Sequence, residues 1–173
     1  EAVSINELIT GFQRLADIQA RRAEAVIDLD LTVGLPLVQV DRVLVEQLLL
    51  NLVRNGLDAM PPAPHRTSDR PRRIEISTAV DAAGQVQVSV RDSGIGLPEH
   101  LIADLYTPFV STKPDGLGMG LAICRSIVES HHGRLWAEAN PAGGAVFHFT
   151  LPVAVPTAAP QETAHAPTLA LPV

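Results

Sequence analysis

Two glycine-rich segments carry the residues best suited to chemistry. They are DSGIGLP, from Asp92 to Pro98, and GLGMGL, from Gly116 to Leu121. Glycines let a ligand approach the backbone closely, and the Asp92 carboxylate can accept a hydrogen bond from an exocyclic amine. The second segment leads into a helical pattern, whose N-terminal N–H groups favour anions such as phosphates. Together the two segments suggest a nucleotide pocket.

Each segment alone also fits a plainer interpretation. The first fits an ordinary Asp-Gly turn, and the second fits a flexible lead into a helix. A dinucleotide-binding βαβ unit is disfavoured, because TPFVSTKPD before Gly116 predicts no parallel strand leading into the glycines.

A polar stripe interrupts an otherwise apolar helical pattern. At 100° per residue its five members fall within roughly 100° of one helix face. They are Gln47, Asn51, Arg54, Asn55 and Asp58. Because buried polar groups need partners, this stripe must face something polar. Taken alone, Asn51 and Asn55 favour a wet groove or a contact with another chain.

The first half of the chain predicts two helices and a strand that would position this stripe. Ser4 and Glu7 form a capping box that starts a helix running to about residue 20. Alternating residues over 25–33 predict a strand. Asp41 is the expected N-cap of a long, central, buried helix that ends near Met60, before two prolines.

The second half predicts two hairpins that flank two helices. A surface loop is expected at 63–72, followed by a hairpin at 74–90 that turns at 81–84 and leads to Asp92. A short helix at 98–105 and an irregular segment at 106–117 come next. A helix at 118–131, ended by Gly133, and a hairpin at 134–151 that turns on NPAGG complete the pattern.

Composition narrows the class of protein. The chain has 173 residues, no run near the roughly 18 apolar residues that cross a bilayer, and no signal-peptide pattern, so we expect a cytoplasmic domain. The net charge of −6 and scattered Lys and Arg argue against a nucleic-acid partner. The single cysteine, Cys124, permits no intrachain disulfide, and its apolar surroundings favour a buried, inert thiol.

The domain boundary is expected near residue 152. Residues 1–152 carry all the periodic patterns, whereas residues 153–173 are rich in Ala, Pro and Thr. Such a composition cannot bury enough surface to offset the entropy of ordering, so it predicts a disordered tail or a linker.

Four segments in order resemble a known family. LLLNLVRNGLDAM, DSGIGLP, TPFVSTK and GLGMGLAICRSIVESHHGRL resemble the N, G1, F and G2 boxes of the ATP-binding catalytic domain of two-component sensor histidine kinases, nearest the oxygen-sensor and nitrogen-regulator subgroup. The resemblance covers residues 1–152. It implies the Bergerat (GHKL) fold, an α/β two-layer sandwich in which helices back a mixed, mostly antiparallel sheet and ATP binds under a lid.

The resemblance also implies roles for residues of the first two boxes. Asn55 would ligate Mg²⁺, and Asn51 would contact the phosphate and metal region. Oxygen ligands and water suit this hard cation. Asp92 would accept from the adenine N6 amine, while Gly94 and Gly96 would let the backbone approach the base.

The last two boxes would supply the lid. Phe109 would pack its first half, and Lys113 would reach the β or γ phosphate, unless it is simply a solvated lysine. The remaining lid residues would act through the backbone, as a hinge or as phosphate-binding N–H groups. They are Gly116, Gly118, Met119, Gly120 and Leu121.

Two departures from the family pattern stand out. Many members carry Lys or Arg where this chain has Asp58, so we expect Arg54, one turn earlier, to supply the cation and to pair with Asp58. Alternatively, Asp58 is a solvated acid at the end of the helix.

The second departure is the missing phosphoacceptor helix. None of the six histidines has the family's H-[E/D]-L context: His65, His100, His131, His132, His148 and His165. His131 precedes the terminal glycine of a helix, where capping the helix end is the plain explanation. The resemblance therefore implies a phosphoacceptor domain elsewhere in a dimeric parent polypeptide, a downstream response regulator, and an isolated domain that is monomeric and does not phosphorylate itself. Whether the parent is membrane-anchored stays open.

Two other functions compete with this one. The ATP-hydrolysing branch of the superfold, with gyrase and chaperone ATPases, places a catalytic Glu where this chain has Asn51, and an amide cannot act as that base. Glu46 lies on another face of the helix. The other alternative is a regulatory module in which nucleotide binding matters more than transfer.

Overall fold

A five-stranded sheet forms the centre of the fold. The structure is a computed structural model that describes residues 1–60, 71–97 and 120–154. In chain order the elements are β1 (Ala2–Val3), α1 (Ile5–Arg22), β2 (Val26–Leu31), β3 (Val38–Gln39), α2 (Arg42–Asp58), β4 (Arg73–Val80), β5 (Val86–Asp92), α3 (Gly120–Ser130), β6 (Leu135–Ala139) and β7 (Ala145–Leu151).

The strand order in the main sheet is β2-β4-β5-β7-β6. β2 pairs with β4 in parallel, and the other three pairings are antiparallel. Alternate residues of β5, Val86, Val88 and Val90, are buried, as period-two patterning requires of a sheet with one covered face. The predicted mixed, mostly antiparallel sheet is therefore confirmed.

Helix α2 is the central helix of the covered face, as predicted. Its buried residues are Val45, Leu48, Leu49, Leu52, Val53, Gly56 and Leu57. Gly56 lets the helix lie close to the sheet, because a Cβ at this position would be 2.6 Å from Ile74 Cδ1 and 3.1 Å from Asp92 Cβ. The core thus brings α2 directly against the end of β5.

Both long helices begin at the predicted N-caps. The Ser4 side chain accepts from the Glu7 N–H at 3.4 Å, and Asp41 Oδ1 accepts from the Leu44 N–H at 3.2 Å. These bonds satisfy N–H groups that have no partner within the helix. The cap residues therefore identified the helix starts correctly.

A second, two-stranded sheet was not predicted. β1 pairs antiparallel with β3, and Val153 forms a bridge to Val38 on the same short strand. The Ala154 N–H also donates to the Leu37 carbonyl at 2.7 Å. The first two residues assigned to the tail thus contact the domain, while the rest of the tail lies outside the described residues.

The end of α3 differs from the prediction. The helix ends at Ser130, one residue before the predicted end, and the left-handed residue beyond it is His132, with φ +58°. The N–H groups of His132 and Gly133 donate to the carbonyls of Glu129 and Val128 at 2.9 and 3.0 Å, which is a Schellman motif. Gly133 is needed for space, because a Cβ there would lie 1.9 Å from the Thr150 carbonyl oxygen.

Several predictions fall outside the part of the chain that the structure describes. They are the loop up to residue 70, the short helix at 98–105 and the irregular segment at 106–117. Within the described ranges, no helix combines the length and apolar character needed to cross a membrane.

Candidate functional site

The polar stripe lies along one edge of α2. Asn51 and Asn55 are half-buried, while Gln47, Arg54 and Asp58 are exposed. This gradation fits a helix whose opposite face is in the core. The two amides therefore sit where α2 passes from the core to the surface.

Helix α3 runs antiparallel beside this stripe. A Cβ at Gly120, the first residue of α3, would lie 4.0 Å from Asn55 Nδ2. One turn later, the Asn51 side chain hydrogen-bonds to the Cys124 sulfur. The start of α3 is thus placed beside both asparagines, and Leu121 follows at a partly buried position.

Cys124 is a buried, protonated thiol. Burial raises its pKa to about 12, and the hydrogen bond from Asn51 offsets only part of this effect. Since the thiolate is the reactive form, the side chain behaves as a small hydrophobic group.

Asp92 occupies the end of β5 and is only 4 % exposed. Its Oδ1 accepts from the N–H groups of Gly94 at 2.8 Å and Ala145 at 3.3 Å. Burial raises the pKa of this carboxyl, and the two hydrogen bonds lower it. Among the hydrogen bonds between described residues, none reaches Oδ2. One oxygen is therefore fixed by the backbone and the other is left for a further donor.

Glycines surround Asp92 on three sides. Besides Gly56 of α2, Gly94 is close enough that a Cβ would lie 2.8 Å from Asp92 Oδ1. A Cβ at Gly144 would lie 2.0 Å from the Asp92 carbonyl oxygen. Gly94 was predicted from the sequence, whereas Gly56 and Gly144 were not. A glycine inside a helix often marks close packing, which was the available signal for Gly56.

The turn after Asp92 is attached to the end of α2. The Ile95 N–H donates to the Ala59 carbonyl at 3.0 Å, and Gly96 has φ +84°. A left-handed conformation at Gly96 is one that other residues rarely adopt. The turn, the amides of the stripe and the start of α3 consequently border one region.

The predicted site residues divide into two groups. The structure describes Asn51, Arg54, Asn55, Asp58, Asp92, Gly94, Gly96, Gly120 and Leu121. The others lie outside the described residues: Phe109, Lys113, Gly116, Gly118 and Met119. The pairing of Arg54 with Asp58 stays a prediction.

Two grooves in the described part of the chain each border only one edge of this region. One, of about 330 Å³, is a mainly apolar groove between α1 and α2 beside Phe12, Leu15 and Val43. The other, of about 210 Å³, borders Asp92 on the side of Arg73 and Arg91. Neither groove joins the amides of the stripe to Asp92, so neither matches the predicted site.

Comparison with known proteins identifies the family. Residues 40–155 match the model described as "Histidine kinase-, DNA gyrase B-, and HSP90-like ATPase". The chain belongs to this ATPase family. The match contains α2, Asp92, α3 and the last hairpin, which are the elements that border the candidate site.

Individual relatives of this ATPase domain are sensor kinases. Sensor protein FixL of Bradyrhizobium diazoefficiens is 39 % identical over 151 residues, which are 87 % of this chain and 29 % of FixL. The solved catalytic domain of histidine kinase ThkA is 32 % identical, with a TM-score of 0.75, 88 % of this chain and 95 % of that one covered. The structure of ThkA in complex with response regulator protein TrrA is 31 % identical, with a TM-score of 0.71. The match covers 89 % of this chain and 42 % of that one.

These comparisons confirm the expected relationship to sensor histidine kinases and the Bergerat fold of their catalytic domains. The domain is a histidine kinase-type ATP-binding catalytic domain. The chain spans less than a third of the length of FixL and of other curated sensor kinases that it matches.

Proposed function

We propose that this domain binds ATP with Mg²⁺ and presents the γ-phosphoryl group to a histidine on a separate domain of the same parent polypeptide. The observation that carries the proposal is the Asp92 carboxylate, whose Oδ1 is held by two backbone N–H groups within a glycine-lined corner. A fixed acceptor at low exposure suits the exocyclic amine of adenine. Gly94 and Gly96 would let the base lie against the turn.

The phosphates would lie at the start of α3. Gly120 begins this helix beside Asn55, and N–H groups at a helix N-terminus have no partner within the helix. The N–H groups near Gly118, Met119 and Leu121 would complete the phosphate site. Phosphate binding at this end of α3 would therefore fall next to the two amides.

The residues present fit a magnesium ion. The amide oxygen of Asn55 is a hard ligand of the kind that Mg²⁺ accepts. In the described ranges, no group of three or more His, Cys, Asp or Glu could hold a metal by itself. Phosphate oxygens and water would therefore supply most ligands, and the ion would neutralise phosphate charge. Asn51 would hold the same region from one turn earlier.

Cations and the lid would complete the site. Arg54 is exposed on the stripe and would supply the positive charge that many family members carry at the position of Asp58. Lys113 would reach the β or γ phosphate. Phe109 and the hinge glycine Gly116 would close the lid over the nucleotide. Such groups act mainly by positioning and by charge neutralisation.

The acceptor histidine would come from outside this chain. His131 is buried and hydrogen-bonded through both ring nitrogens. His148 lies on β7, where its Nδ1 forms hydrogen bonds with the side chains of Gln87 and Ser89. The structure of ThkA with a response regulator supports a downstream partner of that kind here. We also propose a monomeric domain within a dimeric parent.

Titration calorimetry with Mg-ATP on wild-type protein and Asp92→Asn tests the adenine assignment. We expect the variant to bind about 10- to 100-fold more weakly, because it loses a hydrogen bond to a charged acceptor. Asp81→Asn is the matched control, since Asp81 Oδ1 also accepts two backbone N–H bonds, from Ala83 and Gln85, at the other end of β5. Equal affinity of wild-type and Asp92→Asn protein would overturn the assignment.

Radiolabelled ATP tests the phosphotransfer step. The chain incubated with γ-labelled ATP is expected to remain unlabelled, because none of its histidines has the context of an acceptor. Stoichiometric labelling of the chain would show that one of them accepts phosphate after all.

A further inference from the structure

The ring of His131 connects the two helices that border the candidate site. The residue follows α3 and is buried. Nδ1 lies 2.7 Å from the Ile127 carbonyl oxygen, and the Asp41 N–H donates to Nε2 at 2.9 Å. A carbonyl oxygen only accepts and a backbone N–H only donates, so the ring is neutral with its proton on Nδ1. These two bonds are called the His131 bridge below.

The His131 bridge spans opposite ends of the two helices. Asp41 is the N-cap of α2, whereas His131 follows the last residue of α3. At the other end of the pair, Gly120 lies beside Asn55. The bridge and the site are thus two contacts between the same antiparallel helices, roughly ten residues or about 15 Å apart along α3.

The start of α2 is itself anchored. The Val40 N–H donates to the Glu1 carbonyl at 2.9 Å, and β3 just before it pairs with β1. Asp41 therefore belongs to a part of the domain that is held from several sides. A bond from Asp41 to His131 fixes α3 against this body.

We propose that His131 is a positioning residue for the nucleotide site: the His131 bridge sets the position of α3 along α2 and so keeps Gly120 beside Asn55. This inference rests on the proposed binding of ATP at these helices. Loss of the bridge would leave α3 held mainly by apolar contacts, which are less directional than hydrogen bonds. Part of the population would then present its helix N-terminus away from the asparagines.

The test compares His131→Asn with His131→Gln by calorimetry with Mg-ATP. The Gln side chain reaches the place of Nε2 and can accept from the Asp41 N–H, whereas Asn is too short. We expect His131→Asn to raise the Kd about fivefold, the equivalent of one hydrogen bond, and His131→Gln to restore most of the affinity.

Two control variants separate positioning from general stability. His132→Asn changes the exposed neighbour, whose left-handed backbone Asn tolerates, and should leave the Kd unchanged. Thr78→Val removes a buried hydroxyl that bonds to Thr32 and Asn6, far from the site, and should lower stability without changing the Kd.

The outcomes are distinct. A wild-type Kd in His131→Asn, or a Gln variant as weak as the Asn variant, overturns the inference. If wild-type protein itself binds no ATP, the proposed function fails, and amide NMR then tests the inference about His131. A displaced Gly120 signal in His131→Asn but not in His132→Asn supports the inference. An unchanged Gly120 signal in His131→Asn overturns the inference. If His131→Asn does not fold, long-range ¹⁵N spectra of the wild-type protein show which ring nitrogen of His131 carries the proton. A proton on Nε2 at neutral pH overturns the inference, because that nitrogen could not accept from the Asp41 N–H.

Discussion

Two aspartates, one at each end of strand β5, both accept two backbone N–H bonds at Oδ1, but from different partners and in different surroundings. Asp81, in the turn before β5, accepts from the N–H groups of Ala83 and Gln85. Asp92, at the end of β5, accepts from Gly94, two residues on, and from Ala145, 53 residues away. The first arrangement is a local turn, whereas the second needs the β7 strand to be in place.

Burial separates the two carboxylates further. The Gly84 turn beside Asp81 is open, because a Cβ at Gly84 would meet nothing within 4 Å. Around Asp92, by contrast, there is no room for a side chain at either Gly144 or Gly56. A common turn motif therefore becomes a candidate site only when distant elements enclose it.

The largest expected effect comes from filling the enclosed end. Gly144→Ala places a Cβ 2.0 Å from the Asp92 carbonyl oxygen at φ +91°, so we expect the free energy of unfolding to fall by at least about 4 kcal/mol, or the fold to be lost. Gly84→Ala, at φ +79° in open space, should cost only about 1 kcal/mol.

Urea unfolding, followed by the fluorescence of the single tryptophan, Trp136, measures both variants. Similar losses at the two glycines would contradict the contrast between the enclosed and the open end.

A smaller effect concerns pH. Burial raises the pKa of Asp92 above the ordinary aspartate value of 3.8, so the folded protein binds this proton more tightly than the unfolded chain. Wild-type stability should therefore fall, relative to Asp92→Asn, as the pH rises from about 4 through the raised pKa.

Urea titrations at several pH values between about 4 and 7 measure the difference between the two proteins. Asp81→Asn serves as the control variant. A difference that grows in favour of the wild type with rising pH would show that hydrogen bonding to Asp92 outweighs its burial.

Much of the fold was predictable because its signals are local. Ser4 and Asp41 cap helices through bonds to residues three positions ahead, and the hairpin residues alternate with period two. The polar stripe and the position of Asp92 after a strand follow from the same periodicities. These patterns report interactions within a few residues, which sequence displays directly.

The unpredicted features depend on distant segments. β1 and β3 have two residues each, too few for any periodic pattern. Gly133 was expected to end α3, but the left-handed residue there is His132, and Gly133 is instead required by the lack of space beside Thr150. Apart from the glycine that it sometimes requires, a close approach between segments far apart in the chain leaves no local signal.

Local sequence was sufficient for the described helices, the hairpins and the residue types of the candidate site, since propensity, capping and alternation act over a few residues. Only the tertiary structure brought Gly144 against Asp92 and His131 against Asp41, across 52 and 90 positions. The physical reason is that enclosure and hydrogen bonds between elements depend on the packing of the whole core, which no single segment of the chain specifies.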